Sequence, residues 1–202
     1  MKELGLFCGT FNPIHWGHLL IAESARDQFQ LDKVLFITCA NPPHRHNDLL
    51  NMEDRHQMVQ AAVSANPCFE ASRLELDRPG PSYTVDTLRA VRKNYGLNVR
   101  LNLIVGGDNV PQLTQWHDFD EIIQLCRIMV APRASSTPVV TTRSADQEPE
   151  GLRGADAVVI DFPPVQISSS SVREHLRQGR SVLYMVTPEV NRLLLEKGHY
   201  RP

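Results

Sequence analysis

The densest chemistry in this chain lies in ten residues near its start, Gly9-Thr10-Phe11-Asn12-Pro13-Ile14-His15-Trp16-Gly17-His18. Two imidazoles stand three residues apart, which puts both on one side of a helix beginning there. Gly9 lets backbone come close to a ligand. Gly17 leaves room at a helix start, where free N–H groups and the dipole favour an anion. Phosphate oxygens suit that arrangement and a cationic substrate does not. With 8 His and 11 Gly in 202 residues, His-x-Gly-His is expected by chance about 0.02 times. The competing readings are a pair of helix-capping histidines and a zinc site. The second lacks a nearby Cys or carboxylate pair at ligand spacing.

A second cluster, Ile167-Ser168-Ser169-Ser170-Ser171-Val172-Arg173, lies near the other end. Serines cap helices, and free amides at a helix start with an Arg one turn on make an anion site. Alone, a four-serine run reads as a solvated cap. Three weaker stretches lie between: Asn41-Pro42-Pro43-His44-Arg45, Ser82-Tyr83-Thr84-Val85-Asp86-Thr87-Leu88, and Gly106-Gly107-Asp108 followed by Leu113 and Trp116. By themselves, Thr84 and Asp86 read as the first turn of a helix, and Trp116 as core. His56, His117, His175 and His199 show no catalytic spacing. No Ser/His/Asp or Cys/His constellation stands out that would build a covalent nucleophile.

The elements that must position these residues follow from hydrophobic period. Short apolar runs at Glu3 to Cys8, Val34 to Cys39, Phe69 to Ser72, Val99 to Val105, Arg127 to Ala131 and Ala157 to Asp161 read as strands. Helical patterns run from Leu19 to Phe29, Glu53 to Asn66, a Ser82 cap to Asn94 with Gly96 as stop, and Asp120 to Leu125. Two more cover Val172 to Gln178 and begin near Thr187-Pro188-Glu189. Continuous apolar strands alternating with amphipathic helices predict an α/β fold: a Rossmann-like parallel sheet with helices on both faces. Ligands of such sheets bind beyond the carboxyl ends of the strands, where these motifs fall. The stretch 132–153, rich in Ser, Thr, Pro and charge, reads as a flexible loop or insertion in a single domain spanning 1–202.

Composition narrows the classes. At 42% hydrophobic and 22% charged, the chain can bury a real core. A net charge of −2 gives no broad nucleic-acid-binding face. No apolar run approaches the ~20 residues of a membrane span, and the start is too short in apolar residues for a signal peptide. Four cysteines without a Cys-x-x-Cys read as reduced thiols of a cytoplasmic protein.

Gly9 to His18 resembles the first nucleotide-binding motif of the nucleotidylyltransferase superfamily, and Ile167 to Arg173 resembles its second, I-S-S-T-x-x-R. Ser170 replaces Thr there, keeping the hydroxyl and losing a methyl. Within the superfamily the chain is most similar to the bacterial nicotinate mononucleotide adenylyltransferases. Asn41 to Arg45 matches their P-P-H-K-like segment with Arg for Lys. Ser82 to Leu88 matches Y-T-x-D-T-L, and Gly106 to Trp116 matches G-x-D…L…W. The likeness covers the chain except 132–153.

The resemblance implies a nucleotidyltransferase of NAD (pyridine nucleotide) biosynthesis. The 5′-phosphate of nicotinate mononucleotide attacks the α-phosphorus of ATP, giving deamido-NAD and pyrophosphate. The attacking oxygen is already anionic, so the protein positions and stabilises charge. His18 and His15 are expected on the α-phosphate, and Arg173, Ser168 and Ser169 on the β- and γ-phosphates, with Ile167 alongside and Arg45 aligning them. Gly9, Thr10 and Phe11 would cradle the nucleotide, and Gly106 and Asp108 the adenosine. Backbone near Thr84 and His117 would receive the nicotinate carboxylate while Trp116 stacks the ring; N–H donors there favour an acid over an amide. Mg²⁺ would arrive with ATP, held by substrate and water oxygens without a protein ligand. Rival readings are a phosphopantetheine-type acceptor, a nicotinamide mononucleotide preference, and an ATP sensor without turnover. Oligomeric state stays open, a homo-oligomer included.

Overall fold

A computed structural model describes residues 1–42, 48–132, 152, 154–163 and 165–201. The apolar runs become six strands: β1 (Lys2–Gly9), β2 (Lys33–Thr38), β3 (Phe69–Ser72), β4 (Val99–Gly106), β5 (Arg127–Ala131) and β6 (Ala157–Val159). All pair in parallel, in the order β3-β2-β1-β4-β5-β6. The helices are α1 (Trp16–Gln28), α2 (Met52–Val63), α3 (Thr84–Tyr95), α4 (Phe119–Leu125), α5 (Ser169–Arg177) and α6 (Pro188–Glu196).

The predicted two-faced burial is present. Along β2, Val34 and Phe36 join one core while Leu35 and Ile37 join the other, the alternation of a strand covered on both sides. Residues of α1, α2, α5 and α6 fill the first core, those of α3 and α4 the second. Phe36, Leu6, Leu88 and Leu103 are at most 1% exposed, and burying each such side chain stabilises by roughly 2 kcal/mol.

Several boundaries shift from the sequence reading for local reasons. α1 begins at Trp16, three residues early, because His15 takes the extended N-cap conformation. α5 begins at Ser169, since the Ser168 hydroxyl accepts from Ser171 N–H and closes a capping box. Ser82 does not cap α3. Tyr83 is the N-cap, and Ser82 Oγ accepts from Asn41 N–H at 3.1 Å, tying the beginning of the loop after β2 to the start of α3. Gly96 stops α3 as expected, at φ 80. β6 ends at Val159, although Ile160 N–H still donates to Val130 C=O at 2.8 Å. A 3₁₀ turn over Val110–Gln115, too short to show a period, places Trp116. No described helix is long and apolar enough to cross a membrane.

Candidate active site

A cleft of about 520 Å³ opens beyond the carboxyl ends of β1 and β4. The strand order reverses between these two strands, which is where a parallel sheet leaves its loops splayed. Gly9 to Asn12, His15, His18, Gly106 to Asn109, Trp116, Ile167 to Ser170 and Arg173 line it. Both sequence motifs therefore meet in one place although about 150 residues separate them.

His15 and His18 form a unit at the start of α1. Their rings lie 3.8 Å apart, tilted by 30°. His15 N–H donates to His18 Nδ1 at 3.2 Å, so the His18 proton sits on Nε2. Burial holds the His15 imidazole down to about 4; burial, and then the neighbouring His15, holds His18 well below its ordinary value. Both rings are neutral near pH 7. His15 Nδ1 is buried without a partner among the described residues. Phe7 and Phe11 meet the His18 ring edge-on at 5.8 and 5.2 Å. Gly17 permits the stack: a Cβ there would stand 3.0 Å from His15 Cε1 and Nδ1.

The first turn of α5 faces the same cleft. Its serine hydroxyls are spent on structure. Ser168 caps the helix, Ser169 Oγ donates to Pro13 C=O at 2.9 Å, and Ser170 Oγ accepts from Arg173 Nη2 at 3.4 Å. The groups left for an anion are the first-turn N–H donors of Ser169 and Ser170, which precede the first intrahelical bond. Arg173 Nη1 donates to Asn12 C=O at 2.8 Å and Nε to Asp48 Oδ2 at 3.0 Å; Arg177 also pairs with Asp48.

Gly106 and Asp108 lie at the end of β4. A Cβ on Gly106 would stand 2.7 Å from Asp108 Oδ1, so the carboxylate sits directly over a missing side chain. Trp116 is half-buried, packs against the second core and also lines the cleft. His117 is exposed, with its ring 4.4 Å from that of Tyr83. Thr84 follows Tyr83 as the first residue of α3; neither it nor His117 is among the residues lining the cleft. Asp86 pairs with Arg89, which also reaches Asp118 and Glu121, so its carboxylate belongs to a surface network joining α3 to α4. Arg45 and most of the 132–153 stretch lie outside the described residues.

Four residues that matter here were not singled out from sequence. Asn12 Nδ2 donates to Asp48 C=O at 2.8 Å, while its Oδ1 accepts from Leu50 N–H at 3.2 Å and from Tyr200 Oη. Asp48 and Tyr200 carry no spacing signal. Arg55 does: it stands three and four residues before Met58 and Val59, inside the apolar stripe of α2. It is 1% exposed and donates only to carbonyl oxygens. Among the described residues no three His, Cys, Asp or Glu side chains are grouped to hold a metal.

The cytidylyltransferase-like family model matches residues 6–175. A protein of Thermoanaerobacter sp. (strain X514), named "Probable nicotinate-nucleotide adenylyltransferase", is 36% identical over 98% of this chain and 94% of its own. One of Shouchella clausii (strain KSM-K16) with the same name is 38% identical over 99% and 97%. The Plasmodium falciparum nicotinic acid mononucleotide adenylyltransferase complexed with NaAD shares the fold, with a TM-score of 0.79 at 16% identity over 99% of this chain and 98% of its own. The same enzyme complexed with APC gives 0.78 at 15%, with the same coverage. Matched along nearly its whole length, the chain belongs to the cytidylyltransferase-like family and, within it, to the nicotinate-nucleotide adenylyltransferases.

Proposed function

We propose that this protein transfers the adenylyl group of ATP to nicotinate mononucleotide. One observation carries the reading: the stacked His15–His18 pair and the α5 helix start with Arg173 face the same cleft. Two adjoining sets of anion donors lining one cleft, with Ser169 Oγ on Pro13 C=O and Arg173 on Asn12 C=O, suit a chain of phosphates and little else.

A phosphate oxygen of the mononucleotide attacks the α-phosphorus. The bond from that phosphorus to the bridging oxygen breaks, and pyrophosphate leaves. No proton has to move, so neutral histidines are no handicap. His18 donates from Nε2 to the α-phosphate as charge builds, and the His15 N–H holds its ring in that tautomer. The Ser169 and Ser170 N–H groups and Arg173 take the β- and γ-phosphates; the triphosphate competes with Asp48 for this guanidinium. Gly9, Thr10 and Phe11 cradle the nucleotide, with Ile167 beside it, and Gly106 and Asp108 take the adenosine side. Trp116 stacks on the pyridine ring while backbone donors near Thr84 and His117 receive the carboxylate. Mg²⁺ held by the triphosphate's own oxygens would supply positive charge for the leaving pyrophosphate, and no residue of this chain is assigned to it. We place the activity in the cytoplasm, on four unpaired thiols.

The test is pyrophosphate release from purified protein with ATP and Mg²⁺, comparing nicotinate mononucleotide, nicotinamide mononucleotide and phosphopantetheine. Fast release with the nicotinate substrate alone is expected. Release with another acceptor alone overturns the roles given to Thr84 and Trp116. ATP binding without release from any acceptor makes the protein a sensor.

A further inference from the structure

Arg55 is a guanidinium buried at the carboxyl ends of β1 and β2 with no acidic partner among the described residues. Nη1 donates to Thr10 C=O at 2.7 Å and Cys39 C=O at 2.6 Å, Nη2 to Ala40 C=O at 3.3 Å, and Nε to Leu50 C=O at 3.0 Å. Burying an arginine costs several kcal/mol unless its donors are met. Here they are met by the two loops that follow β1 and β2.

The bond to Thr10 has a geometric consequence. A trans peptide sets its N–H opposite its C=O. With the Thr10 carbonyl drawn to Arg55, the N–H of Phe11 is turned away from it, on the side where Thr10 and Phe11 line the cleft. That N–H makes no hydrogen bond with any described residue. Phe11 also stands at φ 47, a left-handed backbone that costs ~1–2 kcal/mol for a residue with a side chain.

We infer that Arg55 is a positioning residue for adenylyl transfer: it holds the Thr10–Phe11 peptide with its N–H presented to the nucleotide phosphates. The inference rests on the reading of ATP as adenylyl donor. Arg55 touches no substrate and acts through Thr10. Its position is unlike that of a surface arginine, because lysine cannot replace it. A lysine ammonium offers a point charge where four carbonyls need a planar fork.

Phe11 is the only Phe preceded by Thr in the chain. Carbonyl-¹³C threonine with ¹⁵N phenylalanine therefore yields one carbonyl–amide NMR correlation, reporting the Thr10 carbonyl and the Phe11 amide together. In the wild type the Phe11 amide is expected to move when a non-hydrolysable ATP analogue and Mg²⁺ are added. In Arg55→Lys the Thr10 carbonyl signal shifts in the free protein and the nucleotide response is lost. Per folded site, kcat falls on the order of 10²-fold while KM for the mononucleotide stays within about twofold. A purely structural arginine would lower the folded fraction and leave kcat per folded site unchanged. That result, or an intact Phe11 response in Arg55→Lys, overturns the inference. Should the variant not fold, the wild-type spectrum decides: a Phe11 amide that ignores the nucleotide overturns it, and one that moves supports it. The analogue response is read without any acceptor, so an error in the acceptor shows only in turnover.

Discussion

The backbone N–H of His15 donates to Nδ1 of His18 at 3.2 Å, and the two rings stack 3.8 Å apart. The bond exists because His15 is the extended N-cap of α1 and His18 stands three residues on. It fixes one tautomer of a neutral imidazole, leaving Nε2–H as the donor.

His18→Ala removes that donor. We expect kcat to fall ~10²- to 10³-fold with a smaller change in KM for ATP, the pattern of a contact made mainly in the transition state. Steady-state kinetics at saturating mononucleotide would show it. An unchanged kcat removes His18 from this role.

The histidine pair also sets a pH dependence of stability. His15 ionises near 4 when folded and near 6.5 when unfolded. Between those values the unfolded chain binds more protons, so stability is complete above about 6.5 and declines as pH falls towards 4. The shift corresponds to roughly 3 kcal/mol. Denaturant midpoints across pH 4 to 7 should therefore fall less steeply for His15→Asn than for the wild type. Parallel slopes would contradict the buried neutral ring.

Trp116 packs on the second core with one part and lines the cleft with another. Trp116→Ala should raise KM for the mononucleotide by tenfold or so, with ATP KM little altered, as loss of one stacked ring predicts. Substrate titrations in both directions separate the two. A fall in melting temperature with no selective KM change would make the residue core alone.

Tyr200 Oη donates to Asn12 Oδ1, which also accepts from Leu50 N–H. Tyr200→Phe leaves that oxygen one partner, so the cost should be about 1 kcal/mol in a urea melt. KM for ATP should rise while that for the mononucleotide holds. Unchanged KM values would mean that the tail does not steady the Gly9–His18 loop.

Much of this was legible along the chain. Strand runs such as Val34 to Thr38 and Arg127 to Ala131 announce themselves because burial on both faces demands unbroken apolar residues. The two phosphate motifs are legible because anion binding at a helix start needs Gly, Ser and basic residues at short, fixed spacing. What the serine hydroxyls do was not: Ser168 and Ser169 bond the backbone and leave the N–H groups to face the cleft.

Local sequence thus determined the parallel α/β architecture, the two motifs and the family they belong to, since each depends on period or on residues a few positions apart. Only the tertiary structure decided which histidine nitrogen carries the proton, that Asp48 shares Arg173, and that Arg55 gathers the carbonyls of Thr10, Cys39, Ala40 and Leu50. Those are contacts across up to 125 residues of chain. They exist because the parallel crossovers bring every strand's carboxyl end to the same edge, and no spacing along the sequence encodes which loops meet there.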